Sequence, residues 1–366
     1  MKKILALFLG ITLMACTTFE SQQSEPENPK KIIFLIGDGM GLSAVSTGFY
    51  YGDQPSVFTR FTQIGLQQTS TAIEKVTDSA ASGTALATGT KTYNGAVGVD
   101  TAKMAHQNIA EITASLGWST GVIATSTISH ATPASFYAHV EQRGMEDEIA
   151  SQLLDSEIDF FAGGGLAKFL IRADSANLLP IAAEKGFVLD TGQLAQPGSL
   201  EADKKYGFLM AFGGMPSMVD GRGDFLPKAT KLAISHLSQN PEGFFLMVEA
   251  SQIDWAGHAN DFEYLVGEML DFEKTIAAAL DYADKDGNTL VVVTADHETG
   301  GFTLGPKVGE VTGYGNYAEL GPIFATGNHS ATLIPVFAYG PGAENFQGVY
   351  QNTDIFHKMK ALVGSK

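Results

Sequence analysis

The sequence predicts an α/β protein in which a large, mainly parallel central sheet lies between two layers of helices, a three-layer α/β/α sandwich. From Lys30 to the end of the chain, short apolar runs alternate with amphipathic stretches. The apolar runs are continuous rather than alternating, so both faces of the sheet are expected to be buried. With 366 residues, of which 44% are hydrophobic and 17% charged, the chain can form a large core.

The individual elements follow from this alternation. Seven apolar runs are the predicted strands: Ile32–Ile36, Gly121–Ala124, Ile158–Ala162, Phe208–Ala211, Phe244–Val248, Leu290–Thr294 and Leu333–Tyr339. The predicted helices are Ser79–Thr88, Thr132–Arg143 opened by Pro133, Glu146–Leu154, Lys228–Gln239, Phe262–Lys285 and Asp354–Leu362. No repeat or second linker is evident, so residues 30–366 are interpreted as one catalytic domain.

The N-terminus predicts export. Lys2 and Lys3 precede an apolar run at 4–15 that is too short to span a bilayer, so residues 1–15 are interpreted as a signal peptide. The run ends at the only cysteine, Cys16, and resembles a bacterial lipoprotein signal; ordinary secretion is the alternative. Residues 16–29 are then a lipidated cysteine and a polar tether. We expect a periplasmic or outer-membrane-anchored lipoprotein, in which one cysteine permits no intrachain disulfide.

The charge of the chain excludes one class of partner. Forty acidic residues against 23 basic residues give a net charge of −17 at pH 7. Nucleic-acid binding needs a basic face, and the sequence contains no run of Lys or Arg longer than a pair. We therefore expect no nucleic-acid partner. The excess of carboxylates suits cation binding, although the charge alone favours a soluble acidic surface as its explanation.

Three predicted strands end in an acidic residue. Asp38 and Asp296 follow apolar strands closely, and Glu249 directly follows another. In open α/β sheets, ligands bind beyond the carboxyl ends of the strands, so these acids could meet in one crevice. A carboxylate leaving an apolar strand is costly to bury unless it is paired. A turn or helix cap would explain one such acid, whereas three favour a shared cation.

Histidines near these acids are of the right type to complete metal sites. Asp254 and His258 are four residues apart, so a helical turn places both on one face. His297 adjoins Asp296, and His329 lies in a Gly-rich segment before the last predicted strand. Imidazole with carboxylate suits zinc, and carboxylate with hydroxyl and water suits magnesium. Four further histidines are interpreted as ordinary surface or core residues: His106, His139, His236 and His357.

The stretch 77–85 consists of small residues that open a helix, with Asp78 as its N-cap. Backbone N–H groups at a helix start attract anions such as phosphate, and Ser79 would lie beside that anion. Taken alone, the stretch is also typical of a helix packed closely on a sheet. With no histidine base in this segment, Ser79 would need activation by a metal ion. Arg143 could bind two phosphate oxygens, although a lone arginine is usually a surface residue.

Together these segments resemble the alkaline phosphatase family through nearly all of the predicted mature chain. The resemblance is carried, in order, by residues 37–41, 76–82, 88–95, 130–133 with Arg143, 248–254 with His258, 294–301, and His329. It implies a metal-dependent enzyme that hydrolyses phosphate monoesters through a phosphoserine intermediate, with a broad substrate range and a role in phosphate scavenging. It also implies a homodimer.

Matched position by position, the resemblance implies that Ser79 is the nucleophile and that Arg143 binds the phosphate. It implies two zinc ions and one magnesium ion per subunit. The implied ligand sets are Asp38, Asp296 and His297 for the zinc that activates the serine, Asp254, His258 and His329 for the second zinc, and Asp38, Thr132 and Glu249 for magnesium.

Two positions depart from the best-known bacterial pattern. His130 stands where that pattern has an aspartate near the third metal, and Trp255 stands where it has a phosphate-binding lysine. We interpret both as residues around the substrate and the third ion. Two other functions stay open at this point: a phosphodiesterase or sulfatase-like relative, and a non-catalytic surface protein that binds metal or phosphate.

Overall fold

The computed structural model describes residues 28–308 and 315–364. Its strands are β1 (Lys31–Gly37), β2 (Gln63–Gln68), β3 (Ser119–Thr127), β4 (Phe160–Gly164), β5 (Phe187–Asp190), β6 (Lys205–Ala211), β7 (Phe244–Ala250), β8 (Thr289–Thr294), β9 (Glu298–Thr299), β10 (Thr303–Val308), β11 (Gly315–Ile323), β12 (His329–Ser330), β13 (Ile334–Tyr339) and β14 (Gly348–Gln351).

The helices are α1 (Leu42–Tyr51), α2 (Ser79–Thr88), α3 (Ile109–Ser115), α4 (Ala131–Ala134), α5 (Glu146–Asp155), α6 (Ala167–Leu170), α7 (Leu178–Glu184), α8 (Phe225–Leu237), α9 (Gln252–Ala259), α10 (Phe262–Asp286) and α11 (Asn352–Leu362). Short 3₁₀ helices cover Val57–Arg60 and Ala343–Phe346. None of the helices in the described ranges combines the length and apolar character needed to cross a membrane.

Ten strands form the central sheet in the order β14-β2-β13-β8-β1-β7-β3-β4-β6-β5. The seven strands from β8 to β5 are mutually parallel, and β13 runs antiparallel to both of its neighbours. Two small antiparallel pairs, β10 with β11 and β12 with β9, lie outside this sheet. The mainly parallel sheet predicted from the apolar runs is therefore confirmed.

The side chains of β1 show why the fold has three layers. Ile32 and Phe34 belong to a core cluster shared with residues of α2, α3, α5 and α11. Ile33 and Leu35 belong to a second cluster, shared with residues of α1, α8 and α10. Since successive side chains of a strand point to opposite faces, each face of the sheet is covered by its own helices. The predicted three-layer α/β/α sandwich is confirmed.

The predicted helix Thr132–Arg143 is wrong beyond its first turn. The helix α4 ends at Ala134, and Val140 pairs with Val97 in an isolated antiparallel bridge. The buried side chains of Phe136 and Tyr137 hold the intervening turns in the core. Tertiary packing thus overrides the helical pattern, and Arg143 is presented from a loop instead of a helix end.

Other differences are small and have local causes. Helix α8 begins at Phe225, three residues earlier than predicted, because Pro227 falls in the first turn, where its missing N–H costs no helical hydrogen bond. The strands β2, β5 and β14 were not predicted, since they are short and partly exposed and contain no apolar run longer than three residues. The predicted signal peptide, Cys16 and most of the tether lie outside the described residues.

The loop that carries Arg143 is tied to its surroundings by His139. The Nε2 atom of this imidazole lies 2.9 Å from Glu111 Oε1, and Nδ1 lies 2.9 Å from the carbonyl oxygen of Gly98. The hydrogen bond to Glu111 raises the pKa of His139 above 6.5, although partial burial opposes it. Burial raises the pKa of Glu111, but hydrogen bonds from His139 and Asn108 hold it below 4.5. Two acceptors around one ring favour the protonated imidazole.

We expect this contact to stabilise the protein most between pH 4.5 and pH 6.5, and less at alkaline pH. The His139 contribution is complete below pH 6.5 and is lost as the pH rises through its raised pKa; the Glu111 contribution is complete above pH 4.5 and is lost as the pH falls through its lowered pKa. His139→Gln should therefore lower the free energy of unfolding by about 1 kcal/mol near pH 6, and by less at about pH 9.

Urea unfolding at the two pH values measures this difference. The control is His357→Gln, which replaces an exposed histidine and should have a small, pH-independent effect. An equal loss of stability at both pH values for His139→Gln would contradict the expectation.

Candidate functional site

The site lies at the carboxyl ends of four neighbouring parallel strands, β8, β1, β7 and β3. Asp296 follows β8, Asp38 follows β1, and Glu249 is the penultimate residue of β7. In the sheet register, Ile36 of β1 pairs with Glu249, which in turn pairs with Ala124 of β3. The three acids that follow the apolar runs therefore meet at one edge of the sheet, as their positions predicted.

Three groups of carboxylates and imidazoles in the described part of the chain have the geometry of metal ligands. In each group the ligand atoms lie within 4.8 Å of one another. The groups are Asp38 with Asp296 and His297, Asp254 with His258 and His329, and Asp38 with His130 and Glu249. Asp38 belongs to the first and third of these groups, the one with His297 and the one with Glu249, so these two groups adjoin at its carboxylate.

The first group surrounds the ring of His297. Its Nε2 atom lies 3.4 Å from Asp38 Oδ1 and 3.2 Å from Asp296 Oδ2, and all three side chains are fully buried. Its Nδ1 atom lies 3.2 Å from the hydroxyl oxygen of Thr299, which donates to Asp254 Oδ1. A hydroxyl that donates to a carboxylate can accept from Nδ1–H, and this leaves Nε2 with a free lone pair directed at the two acids.

The second group is more open. The Nε2 atoms of His258 and His329 lie 3.1 Å apart, and each lies 3.4 Å from Asp254 Oδ1. The Nδ1 atoms face the backbone carbonyl oxygens of Gly327 and Thr77, both at 2.8 Å. A carbonyl oxygen only accepts hydrogen bonds, so Nδ1 is the protonated atom in both rings and Nε2 is free to bind a cation. Asp254 and His258 share one face of α9, as their spacing predicted.

The third group combines Asp38 and Glu249 with the ring of His130. Ser251 donates to Glu249 Oε2 at 2.6 Å, which leaves Oε1 with no hydrogen-bond partner among the described residues. The hydroxyl of Thr132, in α4, is buried and likewise has no partner there. The structure thus places His130 with the acids themselves.

The electrostatics of the site reflect its crowding with acids. Burial, followed by the charges of Asp296, Asp254 and Glu249, raises the pKa of Asp38 well above its usual value of 3.8. Burial also raises the pKa of Glu249 to about 7, against the hydrogen bond from Ser251. These shifts mean that the carboxylates repel one another unless positive charge compensates them.

The donor set fits divalent cations. Both oxygens of Asp38, Oδ2 of Asp296 and Oε1 of Glu249 are buried without a hydrogen-bond partner in the described ranges. Leaving so many buried charged atoms unpaired costs several kcal/mol. The group that contains His329 has two imidazoles and one carboxylate, and the groups that contain His297 and Glu249 each have two carboxylates and one imidazole. Mixed nitrogen and oxygen donors of this kind suit zinc, and the unpartnered hydroxyl of Thr132 adds a further oxygen donor for magnesium. Bound cations would compensate the repulsion that raises the acid pKa values.

Ser79 begins helix α2 beside the first group. Its hydroxyl oxygen lies 3.2 Å from His297 Nε2, and the residue is almost fully buried. Asp78 caps the helix by accepting a hydrogen bond from the N–H of Ala81, as predicted. Gly83 permits close packing, because a Cβ atom at this position would lie 2.9 Å from the hydroxyl oxygen of Ser135. The small residues of α2 therefore serve close packing and also bring the serine to the acids.

Arg143 lies on the loop that follows the Val97–Val140 bridge. Its guanidinium donates to Asp78 Oδ2 at 3.1 Å and lies 3.0 Å from Nε2 of His130. Burial and the charge of Arg143 lower the pKa of His130 to about 4, so this ring is neutral at neutral pH and accepts the hydrogen bond. The guanidinium is therefore anchored on one side and remains partly exposed, next to the start of α2.

Trp255 follows Asp254 on α9 and forms the remaining side of the site. Its ring meets the ring of His130 edge to face, with centroids 6.3 Å apart and an interplanar angle of 83°. An indole brings apolar surface and no positive charge to this place. Arg143 is therefore the one permanently charged cation among the predicted site residues.

The structure also shows supporting residues that the sequence reasoning did not single out. Thr299 links Asp254 to His297, and Ser251 orients Glu249. Asp78 was predicted only as a helix cap, yet it also holds Arg143. Thr299 and Ser251 each lie two residues from a predicted ligand, within the segments 294–301 and 248–254 that carry the family resemblance, and these were the available signals.

Comparisons with known proteins agree with the geometry. The family model for alkaline phosphatase matches residues 29–321 and 314–364. The chain is 33% identical to alkaline phosphatase 4 of Bacillus subtilis, over 95% of this chain and 92% of that protein. It is 33% identical to the alkaline phosphatase of Escherichia coli, over 92% of this chain and 86% of that protein.

Among solved structures, alkaline phosphatase from the Antarctic bacterium TAB5 superposes with a TM-score of 0.91 and 51% identity, covering 93% of this chain and 99% of that one. A variant of that enzyme, in which a histidine is replaced by aspartate, has Mg bound in its M3 site.

Metal binding should raise the melting temperature of the protein. The substitution Asp38→Asn should separate the two effects of the buried acids, which are mutual repulsion without metal and metal binding when metal is present. Without metal, the substitution should raise the melting temperature because it removes one of several buried, mutually repelling charges. With zinc and magnesium added, it should reduce the metal-induced rise, which corresponds to about 2.7 kcal/mol when the free metal is about 100 times its Kd.

Melting curves of chelator-treated and metal-loaded protein test both expected changes in the melting temperature. Asp53→Asn, which replaces an exposed acid outside the three groups, should behave like the parent protein in both states. A melting temperature that does not respond to metal would contradict the interpretation.

Proposed function

This chain belongs to the alkaline phosphatase family, and from that membership we propose that Ser79 is the nucleophile of its active site. The protein is a metal-dependent hydrolase that converts phosphate monoesters to an alcohol and inorganic phosphate. The observation that carries the assignment of the serine is its place between two features. Its hydroxyl oxygen lies 3.2 Å from Nε2 of His297 in the first acid–imidazole group. Ser79 is also the first residue of α2, and Arg143 donates a hydrogen bond to Asp78, the N-cap of that helix.

The reaction takes place in two displacements at phosphorus. Ser79 Oγ attacks the phosphoryl group, a bond from oxygen to phosphorus forms, and the bond to the alcohol oxygen breaks, so that the alcohol leaves with a proton. Water then attacks the phosphoserine, which releases inorganic phosphate and restores the serine hydroxyl. The buried helix start holds Ser79 in place, so little motion is needed before the attack.

We propose two zinc ions and one magnesium ion per subunit. The zinc ligands are Asp38, Asp296 and His297 in one site and Asp254, His258 and His329 in the other; Asp38, Glu249 and Thr132 hold the magnesium, with His130 beside them. When bound, the zinc ions act as Lewis acids that lower the pKa of the serine hydroxyl and neutralise the leaving oxygen. The buried oxygen atoms that have no hydrogen-bond partner within residues 28–308 and 315–364 support these assignments.

Arg143 binds the phosphate in this scheme. The hydrogen bonds to Asp78 and His130 fix the orientation of its guanidinium before substrate arrives, so less rotational freedom is lost on binding. A planar, permanently charged fork matches two oxygens of a phosphate monoester. Since the charges of the site act on the phosphoryl group and few act on the alcohol, the substrate range should be broad, which suits phosphate scavenging.

The setting of the enzyme is proposed from the sequence. Residues 1–15 would direct export, and lipid on Cys16 would anchor the domain 30–366 to a membrane through the tether. The protein would then act in the periplasm or at the outer membrane, where organic phosphate esters are met before uptake. Family resemblance also supports a homodimer.

Replacing Ser79 by alanine should lower kcat for p-nitrophenyl phosphate by at least about 10³-fold, because the nucleophile is lost while the electrostatic environment remains. Chelator should abolish the activity of the parent protein, and zinc with magnesium should restore it. A closely packed Ser–His pair could also work without metal, and activity that survives chelator would favour that mechanism instead.

Ser129→Ala is the matched control, since it removes a buried serine hydroxyl that bonds to Glu146 outside the three groups and should leave kcat within about threefold of the parent. Turnover of bis(p-nitrophenyl) phosphate and p-nitrophenyl sulfate by the same preparation tests the diesterase and sulfatase alternatives. Uptake of metal without any turnover would instead favour a non-catalytic binding protein.

Cys16 should carry lipid in the exported protein. Growth with an alkyne-tagged fatty acid should label the parent protein but not Cys16→Ser, and the variant should move from the membrane fraction to the soluble fraction. An unlabelled parent protein whose mature N-terminus lies elsewhere would show ordinary secretion.

A further inference from the structure

The segment 212–224, between β6 and α8, has no regular secondary structure and contacts Trp255 of the proposed active site. It contains four glycines, so its backbone loses much conformational freedom when it is ordered. Its first part is held by backbone hydrogen bonds, from Gly165 N–H to the carbonyl of Gly213 and from Met215 N–H to the carbonyl of Thr125. The remainder needs other contacts to keep one conformation.

Arg222 provides those contacts from inside the protein. Its guanidinium donates to both carboxylate oxygens of Glu268, at 3.1 and 2.5 Å, and to Asp271 Oδ2 at 2.9 Å. All three charged side chains are fully buried. Glu268 also accepts from the N–H of Met218 at 2.8 Å, and Arg222 donates to the carbonyl of Pro216 at 3.3 Å. The segment is thereby tied at several points to α10.

The other side of the segment touches Trp255. A Cβ atom at Gly214 would lie 2.8 Å from the indole Cη2, so the backbone of the segment packs directly on the ring. The amide of Gln252 donates to the carbonyl oxygen of Met215 at 2.7 Å and joins the segment to the first turn of α9. The opposite contact of Trp255 is the ring of His130, which accepts from Arg143.

A buried ion triad is a weak source of stability, because desolvation offsets most of its attraction and apolar residues often replace it without loss. Its directional bonds can instead hold one conformation of a glycine-rich backbone. We propose that Arg222 is a positioning residue that, by tying segment 212–224 to α10, holds Trp255 against His130 and so fixes the phosphate-binding side of the site. This inference rests on the proposed function, since it concerns the support of the same site.

The test uses Trp255 as its own reporter. The chain has two tryptophans, and Trp118→Phe leaves Trp255 as the only one. In that background Arg222→Lys keeps the charge but loses the planar fork. The matched control is Arg60→Lys, which changes an arginine paired with Asp281 and Asp284 of the same helix, away from the site. The measurements are acrylamide quenching of fluorescence, KM and kcat for p-nitrophenyl phosphate, and inhibition by inorganic phosphate.

We expect Arg222→Lys to raise the quenching constant of Trp255 about twofold, in metal-loaded and in chelator-treated protein. KM and the inhibition constant for phosphate should rise about threefold to tenfold, with a smaller change in kcat. Arg60→Lys should leave all of these values unchanged. Glu268→Gln, which keeps the shape of the side chain, should give the same pattern to a lesser degree and serves as the second variant if Arg222→Lys does not fold.

A lower melting temperature with unchanged quenching and KM, measured well below that temperature, would show that Arg222 is merely structural and overturn the inference. Because quenching does not depend on turnover, a parent protein without phosphatase activity would contradict the proposed function while the quenching result still decides the role of Arg222.

Discussion

The burial of Asp38 is the constraint on which the rest of the site depends. Both of its oxygens lie inside the protein without a hydrogen-bond partner in the described ranges, and the carboxylates of Asp296 and Glu249 lie close by. Such an arrangement is unfavourable for a protein alone and favourable around divalent cations. Two ligand groups share this one residue, so its position between β8 and β7 at the end of β1 determines where both groups can form.

Around that carboxylate, the scaffold supplies rigidity in successive layers. Parallel strands in register set the positions of the acids, and short helices or turns that follow the strands add imidazoles and hydroxyls. Backbone carbonyls, Thr299 and Ser251 then orient the ligands. The segment tied by Arg222 continues the same principle further out, since a glycine-rich backbone next to Trp255 is held by directional bonds from within the core.

The sequence predicted the regular part of the fold well because its apolar runs are long and continuous. All seven predicted strands are present, and α2 and α10 begin where expected. The prediction failed where the pattern was weaker than the tertiary contacts. The stretch after Ala134 has helical spacing, but burial of Phe136 and the bridge at Val140 make it a loop. The partly exposed strands β2, β5 and β14 contain no apolar run longer than three residues, so their apolar signal was weak.

The sequence by itself determined the class of fold, the family and which residue types carry the chemistry, because continuous apolar runs, acids at strand ends and the serine at a helix start are local features of the chain. The family resemblance already implied which residues share a site, but only the tertiary structure decided the contacts that hold them there. The order of the strands, the contact of Arg143 with Asp78 and the link from Arg222 to Trp255 all join residues far apart in sequence. Such contacts follow from packing of the whole core, which no local pattern encodes.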